Sequence, residues 1–374
     1  MVEMWWRRFV LSVSLLVLCA AANSFAREGD SWWLVSPELL EHAKLEMLWQ
    51  KELPIGKNES LERLFIPFDC AQGRLGNRIY ALSDRNFMFS LDRDDGDVIF
   101  SRAVAPAGFT VVGLELYKNE VISIIGGRLV EINPEFGTEL GDKRLGFGVT
   151  CPAARNSSCF YVAGVDRRLR AFRAEDKVKL FEVAAENESV ITSIIADDNF
   201  VVFATDAGNC ISIAPDWPRR LWQFDAAGGI VGPIVRDGRS LFFASEDTNV
   251  YRINVITGEL VWKYQAAAVL DKAPRVTREI VYQYVRDKGL TAIDKRSGKF
   301  IWQVPGGVEL LAEADGKAYV ITKIGTLVVM DNRKAKRLYS VNFAGVSKYV
   351  ANVADSKIYI ADEGGRIACL KPVE

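Results

Sequence analysis

A single histidine limits what this chain can catalyse. His42 is the only one among 374 residues, so no other histidine exists to serve a Ser-His-Asp triad or a multi-histidine metal site. No serine sits in a Gly-x-Ser-x-Gly elbow, no glycine-rich phosphate loop occurs, and the cysteines lack Cys-x-x-Cys spacing. DRDDGD (92–97) resembles a calcium loop, which requires oxygens at positions 1, 3 and 5, Gly at 6 and Glu at 12. Gly96 comes one residue early and Ala103 stands at position 12, so a structural turn is the expected role. His42 is expected to be an exposed polar residue. No catalytic, cofactor-binding or metal-binding residue is assigned, and the chain is read as a non-enzyme.

Composition points the same way. Lys plus Arg number 47 against 48 Asp plus Glu, a balance that gives no electrostatic case for nucleic acid or an anionic membrane surface. Arg7 and Arg8 precede the apolar run Phe9 to Ala22, and small residues at Ser24 and Ala26 fit a cleavage site; residues 1–26 are expected to be a signal peptide. Cys19 offers lipoprotein processing as the alternative, although Leu18 stands where that site needs a small residue. Membrane association is then expected only through such an N-terminal lipid or through a partner. Beyond Cys19 five cysteines remain, an odd number. Cys151 and Cys159 have hairpin spacing, and in an oxidising compartment they form either a bridge or two buried thiols. Asn58, Asn156 and Asn187 head glycosylation sequons, which matter only in a eukaryotic secretory pathway.

The elements that would carry any site repeat. YRINVITGELVW (251–262) and TAIDKRSGKFIW (291–302) align without a gap, Asn254, Gly258 and Trp262 falling on Asp294, Gly298 and Trp302. Alternation such as Tyr251, Ile253 and Val255 against Arg252 and Asn254 has strand period. Gly258 and Gly298 are expected at positive φ in a tight turn. The frame extends to Asp92, Asn133, Arg173, Ala214, Asn254, Asp294, Asp331 and Lys371, spaced by about forty residues. Closing-strand positions are Trp49, Phe100, Gly141, Phe181, Trp222, Trp262, Trp302 and Tyr339. One aromatic per repeat predicts a packing layer between neighbouring units. The two series are out of phase at the ends: the strand around Leu45 to Leu53 lacks predecessors, and the last three strands lack a closing one. The expected fold is therefore an all-β, eight-bladed propeller over residues 45–374, its last blade closed by the N-terminal strand. Residues 27–44 form a lead segment with a short helix after Ser36, where Trp32 and Trp33 pack outside a blade or the segment stays a linker. The surplus in DCAQGRLGN (69–77) predicts a protruding loop.

At Asp294, Gly298 and Trp302 the pattern resembles the pyrroloquinoline-quinone (PQQ) type propeller repeat. Length, apolar leader and blade count together are similar to the propeller subunits, BamB, of the outer-membrane β-barrel assembly machinery. The resemblance implies a non-catalytic scaffold in the periplasm or cell envelope with protein partners. That family docks through inter-blade loops bearing Leu-Arg-Gly and Asp-Val-Asp segments. The loops here, 184–193, 225–233 and 266–274, carry neither, so no partner-binding residue transfers. The alternative is a small PQQ-binding quinoprotein or a ligand sensor using the central channel. Against it, adjacent cysteines and lid-forming loops of the quinone dehydrogenases are missing, and no cofactor is expected.

Overall fold

A computed structural model describes residues 32–69, 74–118 and 120–373. The expected signal peptide, Cys19 and Cys70 lie outside the described residues. The described chain builds eight four-stranded antiparallel sheets, set in a ring as the blades of an eight-bladed propeller. Blade 5 is typical, running Val235–Asp237, Ser240–Ala244, Asn249–Asn254 and Leu260–Gln265 from the inside outward. Blade 6 repeats it with Arg275–Val276, Ile280–Val285, Gly289–Asp294 and Phe300–Pro305.

Burial follows position within the blade. Second strands such as Cys159–Ala163, Val201–Thr205 and Ser240–Ala244 are buried at every residue, because neighbouring blades cover both faces. Fourth strands alternate, with Trp222 and Trp262 buried between exposed neighbours on the rim. The apolar core is accordingly divided into clusters. One holds Tyr282 and Trp302 of blade 6 against Leu310, Ala318 and Val320 of blade 7.

The chain ends close the ring. Blade 8 consists of Lys348–Val350, Ile358–Ala361 and Arg366–Pro372, and its outermost strand is β1, Leu45–Glu52. Pairing runs from Leu45 opposite Pro372 to Glu52 opposite Arg366, with one bulge between Met47 and Trp49. Where other blades have a turn, Val373 N donates to Lys44 O at 2.9 Å.

The lead segment is folded onto the ring. Ser36 caps α1 (Pro37–His42) by accepting from Leu39 N, and Pro37 supplies a fixed φ at the first turn. Leu34, Val35, Leu40 and Ala43 are buried in the cluster that holds Val341 and Phe343 of blade 7 and Leu370 of blade 8. Trp32 remains 60% exposed. The expected protruding loop at 69–77 is in part a small hairpin, Phe68–Asp69 pairing with Arg74–Leu75; residues 70–73 lie outside the described residues.

Cys151 and Cys159 are free thiols, both buried, which corrects the bridged alternative. Their strand register explains it. Asn156 N bonds Cys159 O, so the residue facing Cys159 is five positions beyond Cys151. At roughly 3.3 Å per strand residue that offset far exceeds disulfide reach.

Candidate functional site

The repeat's marked residues converge on the seams between blades. Each Asp or Asn that ends a third strand folds the next turn onto itself. Asn254 Oδ1 accepts from Ile256 N at 2.8 Å, Asp294 Oδ1 from Ser297 N at 2.7 Å, and Asp331 Oδ1 from Arg333 N at 2.9 Å. Four residues on, Gly258 and Gly298 adopt φ of 73° and 72°. A Cβ on Gly258 would lie 2.6 Å from the Trp222 ring, and one on Gly298 2.8 Å from the Trp262 ring. The bare glycine of one blade thus rests on the indole of the preceding blade. The indole N–H completes the contact. Trp222 Nε1 donates to Val255 O at 3.0 Å, Trp262 Nε1 to Lys295 O at 3.0 Å, and Trp302 Nε1 to Asn332 Oδ1 at 3.0 Å. The aromatic series is a packing layer between blades.

Sequence reading missed the buried tyrosines that complete these seams. Tyr80, Tyr161, Tyr282, Tyr319 and Tyr359 occupy one register position on the second strands, and all are buried. Tyr161 Oη donates to Pro215 O of blade 4 at 2.6 Å. Tyr282 Oη lies 2.6 Å from Glu313 Oε2 and accepts from Asn332 Nδ2 at 2.7 Å. Burial, then the Glu313 carboxylate, push its phenol far above the ordinary range. Laying the copies over one another in the repeat frame is the signal that would have exposed them.

One face of the ring carries the loops that link blades and the turns between second and third strands. These loops are pinned at both ends. Ala226 N donates to Gly208 O and Glu246 N to Gly229 O, each at 2.9 Å; Ala266 N donates to Thr248 O at 2.8 Å and Arg286 N to Val269 O at 3.3 Å. Side chains reinforce them. Ser245 Oγ donates to Gly228 O at 2.7 Å, and Asp247 accepts from Ala227 N and from Tyr251 Oη. Burial works to raise the Asp247 pKa, but hydrogen bonds from Tyr251, Asn249 and Ser245 hold it below the ordinary value. Upon this braced face four large apolar side chains are exposed: Phe109, Val165, Val231 and Ile324, the last at 74%. Asp271 takes two bonds from Arg286, at 3.1 and 2.8 Å, in the loop 266–274.

The first strands of the blades line the axis. There Arg275 forms a two-pronged bond to Glu309, at 3.0 and 2.7 Å. Glu115, on Val111–Tyr117 of blade 2, has its pKa pushed up to about 7 by desolvation.

The remaining candidates have structural roles. Asp92 pairs with Arg78 at 2.5 Å, Asp94 with Lys357 at 2.8 Å and Asp97 with Lys51 at 2.6 Å, while Asp95 Oδ1 accepts from Asp97 N at 2.9 Å, so the carboxylates of 92–97 do not converge on one point. Among the described residues no group of His, Cys, Asp and Glu is arranged to hold a metal. His42 is exposed at the end of α1. Asn156 is 3% exposed and caps its own turn, which removes it as a glycan acceptor.

The fold and its seams define an eight-bladed β-propeller. A family model described as outer membrane protein assembly factor BamB matches residues 211–343. Among solved structures, BamB from Moraxella catarrhalis superposes with a TM-score of 0.66 at 12% identity, covering 87% of this chain and 97% of that one. The computationally designed Ika8 protein superposes with a TM-score of 0.64 at 14% identity, covering 85% of this chain and 98% of its own. No curated protein matches the chain in sequence. The chain is an eight-bladed propeller that resembles BamB in fold and, over residues 211–343, in sequence.

Proposed function

We propose that this protein is an exported, non-catalytic scaffold of the cell envelope, presenting its inter-blade loop face to protein partners in outer-membrane protein assembly. The supporting observation is the double pinning of those loops beneath exposed Phe109, Val165, Val231 and Ile324. Loops already held in place lose little conformational entropy on docking, which suits weak, multipoint contacts. The family-model match over residues 211–343, described as outer membrane protein assembly factor BamB, supports this reading of the setting. Capture from envelope extracts with the tagged chain is expected to bring down barrel-assembly components, and a Phe109→Ser/Ile324→Ser variant is expected to bring down less. Capture of none, or equal capture by the variant, would reject the reading and leave the fold untouched.

A further inference from the structure

The charges of the chain nearly balance, but the balance is an average around the ring. Opposite the loop face the ring presents two sets of turns, those between first and second strands and those between third and fourth. In blades 1 to 3 the cations of these turns are paired. Arg78 meets Asp92 and Glu135, Arg173 meets Asp176, and Lys177 meets Glu131. Blades 6 and 7 do the opposite. One turn presents Arg296 and Lys299, the next presents Arg333, Lys334, Lys336 and Arg337, and all six are exposed. Among the described residues none of the six is ion-paired. The nearest carboxylates are turned into their own loops. Asp294 Oδ1 accepts from Ser297 N at 2.7 Å, and Asp331 Oδ1 accepts from Arg333 N and Lys334 N, each at 2.9 Å. On the adjoining turns, Glu279 and Asp315 are matched in number by Arg278 and Lys317. The two basic turns are also fixed side by side. Trp302 Nε1 of blade 6 donates to Asn332 Oδ1 of blade 7 at 3.0 Å, and Asn332 Nδ2 donates to Tyr282 Oη at 2.7 Å. Like charges held this close repel one another and add nothing to the fold.

Exposed apolar side chains continue the same sector and say what kind of anion fits it. Trp217 on the turn of blade 4 is 66% exposed, Ile256 on that of blade 5 is 50% exposed, and Phe300 follows Lys299 on blade 6 at 55%. The Trp217 turn is fixed as well. Arg219 N donates to Trp217 O at 2.7 Å, and Tyr161 Oη of blade 3 donates to Pro215 O at 2.6 Å. A nucleic-acid strand is tracked by a continuous basic groove. Here separate turn tips span half the ring, apolar in blades 4 and 5 and basic in blades 6 and 7. Indole and aliphatic tips suit the boundary between headgroups and acyl chains, where lysine and arginine meet anionic headgroups.

We propose that the turn face of blades 4 to 7 is a contact surface for a bilayer containing anionic phospholipid. The ring stands tilted on it, with the exposed carboxylates Asp95 of blade 1 and Glu175 of blade 3 lifted away from the headgroups. The loop face then points outward. This goes beyond the scaffold reading, because it uses the face that the loops leave free and holds whichever partner they take.

The test uses the full chain labelled with 5-fluorotryptophan, the Trp217 resonance being assigned by Trp217→Phe. The probes are vesicles of phosphatidylcholine, with or without phosphatidylglycerol, that carry a headgroup spin label. Anionic vesicles are expected to broaden the Trp217 resonance, and neutral ones to leave it sharp. In flotation, Arg333→Gln/Lys334→Gln/Lys336→Gln/Arg337→Gln is expected to cut the preference for anionic over neutral vesicles about a hundredfold, each cation near such a surface contributing up to about fivefold. Phe136→Ser is the control: that turn tip is 70% exposed but lies in blade 2, and parental binding is expected. A parent without the preference, or a quadruple variant that keeps it, would overturn the proposal. So would a Phe136→Ser loss as large as the quadruple variant's, or a Trp217 resonance that stays sharp on bound protein. Release from the vesicles by polyglutamate or by duplex DNA, at equal charge concentration, would assign the patch to an acidic protein or a nucleic acid and overturn it too. Capture of envelope partners enters none of these readouts, so the scaffold reading and the bilayer contact fail separately.

Discussion

The seam between blades 5 and 6 and the seam between blades 8 and 1 use the same lock but are reinforced differently. At the first, Trp262 lies beneath Gly298 and bonds Lys295 O, and the Lys295 ammonium reaches back to Asp237 of blade 5. At the second, Trp49 lies beneath Gly96 and bonds Arg93 O at 3.2 Å. Here the cation is Arg93, 8% exposed, which donates to Tyr359 Oη at 3.2 Å, to Gly76 O at 2.8 Å and to Asp355. Lys51–Asp97 and Lys357–Asp94 flank it. The difference follows from connectivity. Blade 5 is one continuous chain, whereas blade 8 is assembled from both ends and has no covalent link between β1 and Arg366–Pro372. Trp49 and Lys51 tie blade 1 to β1, while Arg93 and Asp94 tie it to Asp355 and Lys357 of the C-terminal strands. The turn at 92–97 is a splint across the only blade that could come apart.

The strongest way to break this comparison is to remove the indoles. Trp49→Ala and Trp262→Ala are each expected to cost about 3–5 kcal/mol, from lost burial and the cavity left behind. Only Trp49→Ala should also expose blade 8, seen as early proteolysis between residues 344 and 373 below the unfolding midpoint. Equal protease patterns for the two variants would remove the distinction between the seams. Next in size, Gly96→Ala and Gly298→Ala both force a Cβ into an indole at positive φ and are expected to cost about 2–4 kcal/mol each. Gly316, at φ 75° with nothing nearer than 3.6 Å, isolates the backbone part, and Gly316→Ala should cost about 1 kcal/mol. If all three variants unfold at the same denaturant concentration, the glycine–indole contact is not the lock.

Arg93→Ala against Lys295→Ala sharpens the contrast itself. Arg93 is nearly buried and makes two bonds across the closing seam, to Tyr359 and Asp355, with a third to Gly76 O of its own blade, so about 2–3 kcal/mol is expected there. Lys295 faces a half-exposed Asp237, and about 0.5–1 kcal/mol is expected. Chemical denaturation of both variants decides, and a reversed order would refute the splint.

Much of this plan was legible in the sequence, and the part that was not has a common cause. The period, the strand-ending Asn254 and Asp294, the positive-φ glycines and the indole layer all act within one repeat or between adjacent ones, so each copy restates them. The closure was legible as well, because the two series ended out of phase. Arg93 and Asp355 were not, standing 262 residues apart and meeting only once the ring has closed. The free state of Cys151 and Cys159 was likewise hidden, because spacing suggested a hairpin while the register that separates them depends on where the ladder begins. The lead segment gave its cap, Ser36-Pro37, but not the burial of Leu34 and Leu40, whose partners belong to two different blades.

Acidity sets a background that both seams share. The Glu115 carboxyl is raised to about 7 by desolvation, so the folded state holds a proton that the unfolded chain has released. Stability is then full below the unfolded value near 4.5 and is lost as pH rises through about 7. Because the Glu115 side chain is only half-buried, the effect is discounted to about 1–2 kcal/mol. Glu115→Gln is expected to raise the melting temperature at pH 8 and to leave it unchanged at pH 4. An equal gain at both would show that the carboxylate charge is not the cause.

The smallest expected effect tests how much of the closing seam's surplus is ionic decoration. Lys357 is mostly covered, but its partner Asp94 is 87% exposed, and water screens such a pair heavily. The hydrogen bond and charge of Lys357 hold the Asp94 pKa below 3.8. A depressed carboxylate stabilises above its unfolded value, and that contribution is lost as pH falls through the folded one. Lys357→Ala should therefore cost about 0.2–1 kcal/mol at neutral pH, nothing well below pH 3.8, and less in high salt. Melting curves of the variant and parent at two pH values and two salt concentrations give the answer. A loss as large as that of Arg93→Ala would mean that the exposed lysine, not the buried guanidinium, holds the two ends of the chain together.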